Sequence, residues 1–135
     1  MLGLLIADKD MENRKRMANL LIGAGYDVMV TDSAAMAIRC VMSKVAQVVL
    51  LGTAVDELTS AELVPLLKQC NPKLMIILIA DDTPLPSIRK MRKEGIFYHA
   101  LQPAEPKDEE EIRQVVKCAM ENLTKATFSR TAYYH

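Results

Sequence analysis

The chain has 135 residues, half of them hydrophobic and a quarter charged, and its 17 basic and 17 acidic side chains sum to a formal charge of zero. That length suits one domain with a sizeable core, and the balanced charge argues against direct contact with nucleic acid or an anionic membrane. No apolar run approaches the ~20 residues of a membrane helix, and the opening MLGLLIA is too short for a signal peptide and lacks its basic flank.

LGLLIA, residues 2–7, reads as a buried strand that ends at Asp8. A helix follows from about Met11, with Met17, Leu20, Leu21 and Ala24 on one face and Gly25 as its stop. YDVMV, residues 26–30, is the second strand. Ser33 caps a helix whose stripe is Ala34, Ala37, Ile38 and Val41. VVLL, residues 48–51, is a continuous apolar run closed by Gly52, the pattern of a strand covered on both faces. Thr59 or Ser60 caps the third helix, which turns Leu63, Leu66, Leu67 and Cys70 inward. Pro65 is expected to distort that helix, and Asn71-Pro72 ends it.

LMIILIA, residues 74–80, is the most apolar strand. Pro84 or Pro86 opens a fourth helix that Gly95 closes. IFYHAL, residues 96–101, is a short fifth strand. Asp108 and Glu111 make a start resembling a capping box for the last helix, whose stripe is Ile112, Val115, Val116 and Ala119, continuing to Leu123. Cys40, Cys70 and Cys118 lack metal-ligand spacing and read as buried reduced thiols of a cytoplasmic protein.

Five buried strands alternating with helices predict an α/β fold. It is a flavodoxin-like, doubly wound (β/α)5 sandwich, with a parallel sheet of order 2-1-3-4-5 and helices on both faces. In that order the winding reverses between the first and third strands, and a crevice opens at their C-terminal ends. Asp8 and Gly52 flank it. Residues 1–124 form the predicted domain, and 125–135 are a tail or the start of a linker to an output domain.

The ordered motifs LLIADKD, GYDVMVTDSAAMAI, VVLLGTAVDELTSAEL, IILIADD and GIFYHALQP resemble the receiver domain of two-component response regulators. The resemblance runs from Leu4 to about Leu123. It implies a phosphoryl-accepting aspartate after the third strand and an acidic pair holding Mg²⁺ after the first. It also implies a hydroxyl ending the fourth strand and a lysine ending the fifth. The acceptor carboxylate would be the nucleophile of an in-line displacement, with Mg²⁺ neutralising the phosphoryl oxygens.

This chain departs at almost every such position. Gly52 stands where the resemblance puts the acceptor. Asp8 matches the first acid, Lys9 replaces the second, and Asp10 is free to cap the first helix. Ile79 replaces the hydroxyl and Gln102 the lysine. The charges at these positions cancel, with Lys9 expected to neutralise Asp8, so no metal or other cofactor is expected. Thr53 neighbours the acceptor position, but strand alternation turns it to the other face.

His99 stands at the aromatic position whose rotation accompanies signalling in the family; it is either a pH-sensitive switch or a half-exposed histidine without a role. Arg89, Lys90, Arg92 and Lys93 make a basic surface on the fourth helix, either a solvated face or a contact for an acidic patch on a partner or second copy. Asp81 and Asp82 are expected to favour the N-terminus of the fourth helix. Phe128, Tyr133 and Tyr134 lie beyond the expected core, in a linker helix or a tail packing across a dimer.

The resemblance therefore implies a degenerate, non-phosphorylatable receiver in signal transduction, not an enzyme. It would control an attached output domain or protein partner through helix 4, strand 5 and helix 5, with a homodimer possible. The alternative is a small-molecule sensor in which Gly52 and Ile79 leave a roomier, less polar crevice. A flavin-phosphate site is not expected, because DKDMENRK is not the Gly/Ser/Thr-rich loop such a ligand needs.

Overall fold

The computed structural model describes the backbone of residues 2–133 and the side chains of residues 2–125. Its elements are β1 (Leu4–Ala7), α1 (Met11–Gly23), β2 (Val28–Thr31), α2 (Ala34–Met42), β3 (Val48–Leu51) and a small hairpin of β4 (Ala54–Val55) and β5 (Leu58–Thr59). There follow α3 (Ser60–Cys70), β6 (Met75–Ile79), α4 (Leu85–Glu94), β7 (Tyr98–Ala100) and α5 (Pro106–Tyr133). The main sheet is parallel with order β2-β1-β3-β6-β7, which is the expected 2-1-3-4-5 once the hairpin is set aside.

Strand alternation sorts the core into two layers. Leu5, Ala7, Val49, Leu51, Ile76 and Leu78 face α2, α3 and α4, which contribute Ala37, Val41, Leu63, Leu67, Ile88 and Met91. Leu4, Ile6, Val48, Leu50, Ile77 and Ile79 face α1 and α5, which contribute Met17, Leu21, Ile112, Val116 and Ala119. Each central strand is buried on both faces, so it reads as an uninterrupted apolar run.

Local chemistry sets the helix ends. Asp10 caps α1 by accepting the amide of Asn13, and Ser33 caps α2 by accepting that of Met36. Thr59 and Glu62 form a reciprocal capping box at α3. Gly95, at φ +108°, ends α4 in the left-handed conformation that glycine adopts without a Cβ penalty. Pro65 does not interrupt α3, which runs unbroken from Ser60 to Cys70.

Four expectations need correction. Leu66 is 40% exposed rather than turned inward on α3, where Val64 is buried instead. Ala24 is exposed at the C-cap of α1 rather than part of its buried stripe. Asp108 does not cap α5 from outside. The helix begins at Pro106, and the Asp108 carboxylate reaches back to the amides of Ala104 and Glu105, both at 3.1 Å. Cys118 is exposed, whereas Cys40 and Cys70 are half-buried. Phe128 and Tyr133 fall on α5, where only the backbone is described, and Tyr134 lies outside the described residues.

Candidate functional site

The crevice forms where β1, β3, β6 and β7 end. Register places Ala7 beside Leu51 and Leu51 beside Leu78, so Asp8 and Gly52 leave the sheet side by side. The amide of Gly52 donates to Ala7 O at 2.9 Å, holding the two chain exits together.

Asp8 is only 6% exposed, and its carboxylate lies against the Gly52 backbone. A Cβ added to Gly52 would come within 2.6 Å of Asp8 Oδ1, and closer still to Cγ and Oδ2. The volume that a side chain at position 52 would occupy is therefore filled by Asp8. A side chain at position 52 would have to displace the Asp8 carboxylate, a matter of close approach rather than of an unusual φ.

The environment of Asp8 is mixed. Burial pushes its pKa above the ordinary carboxylate value, a bond from the Asp10 amide opposes that rise, the Asp10 charge adds to it and the Arg14 charge lowers it. The Asp10 amide donates to Asp8 Oδ1 at 2.9 Å, and Arg14 Nη1 donates to the Asp8 carbonyl at 2.8 Å.

Lys9 is not the neutralising partner expected from sequence. It is exposed, its amide donates to Ala54 O at 2.8 Å, and among the described residues no ion pair joins it to Asp8. Arg14, one turn into α1, is the cation that acts on Asp8. An arginine set by a helix repeat, six residues from its partner, gives no local motif to read.

Ile79 is 2% exposed and packs in the layer beneath α1 and α5. Gln102 is tied to the neighbouring strand end. Its amide donates to Asp81 Oδ1 at 2.8 Å, and its side-chain Nε2 faces Ile79 O at 3.4 Å. Gln102 Oε1 is buried without a hydrogen-bond partner among the described residues. Asp81 thus joins two loops, and α4 starts at Leu85 with Pro84 at its N-cap and no side-chain cap bond.

A cavity of about 410 Å³ opens beside Asp8, lined also by Lys9, Asp10, Asn13, Thr53 and Ala54. Thr53 was expected on the opposite face. The chain leaves strand geometry at Gly52 and enters the β4–β5 hairpin, which swings Thr53 to the cavity. Neither Gly52 nor Ile79 lines this cavity, and the space beside Gly52 is taken by the Asp8 carboxylate.

The hairpin fixes the rest of the loop. Ser60 N donates to Thr53 O at 2.9 Å, and Asp56, at φ +52°, accepts the amide of Ala34 through Oδ2 at 2.6 Å. Asp56 thereby supplies a carboxylate to the N-terminus of α2 from another part of the chain.

The second group of candidate residues lies on α4 and β7. His99 is half-buried, and its Nε2 is 2.9 Å from Ala80 O; the carbonyl only accepts, so Nε2 carries the proton in this bond. Arg92 and His99 line one shallow cavity of about 360 Å³ with Ile96, Phe97 and Tyr98. Arg89 and Lys93 are exposed on the same helix but do not line it. Sequence reasoning passed over Tyr98, whose hydroxyl donates to Glu111 Oε2 at 2.7 Å and joins β7 to α5. Leu85 and Leu101, 56% and 59% exposed, add apolar surface to this side.

The residues at the crevice do not fit the Mg²⁺ ion that the receiver resemblance implies. Position 52 offers no side-chain ligand, Asp8 is buried with its Oδ1 bound to an amide, and the Arg14 charge already acts on Asp8. Among the described residues no group of three or more His, Cys, Asp or Glu side chains is placed to hold a metal. No helix among them is long and apolar enough to cross a membrane.

No protein-family model matches the chain. It is 23% identical over 127 residues to the transcriptional regulatory proteins GlrR and QseF of Escherichia coli, an alignment covering 94% of this chain and 28% of each relative. The chain thus spans little more than a quarter of the curated relatives it matches. Among solved structures it resembles a response regulator receiver domain protein from Clostridium thermocellum, with a TM-score of 0.82, 16% identity and coverage of 93% and 99% of the two chains. It also resembles the signal receiver domain of an HD domain-containing protein from Pseudomonas fluorescens, with a TM-score of 0.81, 21% identity and coverage of 92% and 98%. The receiver domain of NtrX from Brucella abortus superposes with a TM-score of 0.78 at 17% identity, covering 88% of this chain and 98% of that one. The fold is that of CheY-like receiver domains.

Proposed function

We propose that this chain is a receiver domain that has lost phosphoryl chemistry and works in signal transduction as a phosphorylation-independent protein-interaction module. The carrying observation is the Asp8 carboxylate set against Gly52, which removes the nucleophile and fills its place at once. The neutral amide of Gln102 and the buried Ile79 support the same reading. Without a nucleophile beside an activating base or ion, the domain has no enzymatic step of its own.

In this reading the domain holds one arrangement of its α4–β7–α5 side and presents it to an attached output domain or a protein partner. Exposed Leu85 and Leu101, the Arg89, Arg92 and Lys93 cations and the Tyr98–Glu111 link supply apolar contact, charge and rigidity there. The similarity to transcriptional regulatory proteins, and the fraction of them it spans, support a role in transcriptional control within a longer cytoplasmic regulator.

Intact-mass spectrometry after incubation with acetyl phosphate and Mg²⁺ tests the proposal. The expected result is no phosphoryl adduct. A stoichiometric adduct that maps to the crevice would overturn it.

A further inference from the structure

The opposite end of the sheet carries a groove that the proposed function does not use. It has a volume of about 500 Å³, within the range of small-molecule sites, and lies where β6 and β7 begin and α4 ends. Met75, Ile96 and Phe97 form apolar wall, and Lys68, Lys73 and Asn122 bring the polar groups. No acidic residue lines it, so its charged groups are two cations.

Lys68 is held in place rather than left to wave in solvent. Its Nζ donates to Pro72 O at 2.7 Å and to Leu74 O at 3.0 Å, which occupies two of the three N–H bonds of an ammonium. Gly95 leaves room for the lysine stem: a Cβ there would stand 3.1 Å from Lys68 Cε. A cation held in place beside an apolar wall is one arrangement by which a pocket orients a ligand.

We propose that this groove binds a small carboxylate with an apolar body, its carboxylate at Lys68, Lys73 and Asn122 and its body against Met75, Ile96 and Phe97. Two lysines act as point charges that attract an anion without imposing bidentate geometry, and the apolar wall supplies the preference for a ligand with an apolar body. Burial also lowers the Lys68 pKa, a cost that a bound anion offsets. The ligand would touch α5 at Asn122 and the segments flanking Gly95, between α4 and β7. It would therefore bias the same three elements that the proposed interaction side uses. The site itself is independent of that reading.

Octanoate is a suitable probe, titrated into the intact chain by calorimetry and by amide chemical shifts, with octanol as the uncharged control. The expected result is saturable octanoate binding with shifts at Phe97 and Asn122, and binding of octanol at least about tenfold weaker. Lys73→Met, at an exposed position, is expected to weaken octanoate at least about fivefold while leaving the fold intact. Lys68→Met should weaken it further, although it also removes a clamp on the α3–β6 loop. Absence of saturable binding at millimolar octanoate would overturn the proposal. So would equal affinity for octanol, shifts confined to another surface, or undiminished binding by Lys73→Met.

Discussion

Asp8 and Gly52 define each other. The carboxylate lies where a side chain at position 52 would be, so adding one carbon there requires Asp8 to shift from the place where it accepts the Asp10 amide. Gly52→Ala is expected to destabilise the chain by about 1–3 kcal/mol, the usual cost of overpacking a tight site. In an Asp8→Ala background the same substitution should cost much less, because the clash is gone; denaturant melts of the two single variants and the double variant measure this coupling. Burial also holds the folded-state pKa of Asp8 above its unfolded value, so the native state retains the proton longer. Stability from this group therefore falls as pH rises from the ordinary carboxylate value through the folded pKa. Asp8→Asn keeps an acceptor for the Asp10 amide and removes the buried charge. Its melting temperature relative to wild type should rise as pH is raised from ~4 to ~7; an unchanged difference across that range would contradict the electrostatic account.

Among the elements, helices and central strands were readable because each is signalled by an apolar period and a cap close in sequence. Asp10, Ser33 and the Thr59–Glu62 box sit within three residues of the amides they bind, so their roles are written locally. The β4–β5 hairpin was not readable, since strands of two residues carry no period. Missing it put Thr53 on the wrong face and hid the bond between Asp56 and Ala34, which are 22 positions apart. Arg14 was missed at Asp8 for a related reason: only helical geometry brings it there. Asp56→Ala is expected to cost about 1 kcal/mol, the usual value of a lost helix-terminal acceptor. Amide hydrogen exchange should quicken at Ala34 and across residues 53–60; unchanged exchange there would show that the hairpin is held without Asp56.

At the scale of the molecule, the sheet order and the two-layer core were legible because β1, β3 and β6 are buried on both faces and stand out as apolar runs. The meeting of Asp8 and Gly52 at one crevice was legible too, because the strand order sets their two strand ends side by side. What the sequence hid was that the Asp8 carboxylate fills the space beside Gly52. Gly52→Asp alone is therefore expected to give no Mg²⁺-dependent phosphorylation: the new side chain meets Asp8, and Ile79 and Gln102 still supply neither hydroxyl nor ammonium. Radiolabelled acetyl phosphate would detect any incorporation. The central claim is that Asp8 closes the acceptor place in the native chain, and amide spectra recorded during titration with beryllofluoride and Mg²⁺ test it most directly. The account predicts that the Asp10, Gly52 and Gln102 amides stay where they are at saturating ligand. Saturable shifts at those three positions would contradict it.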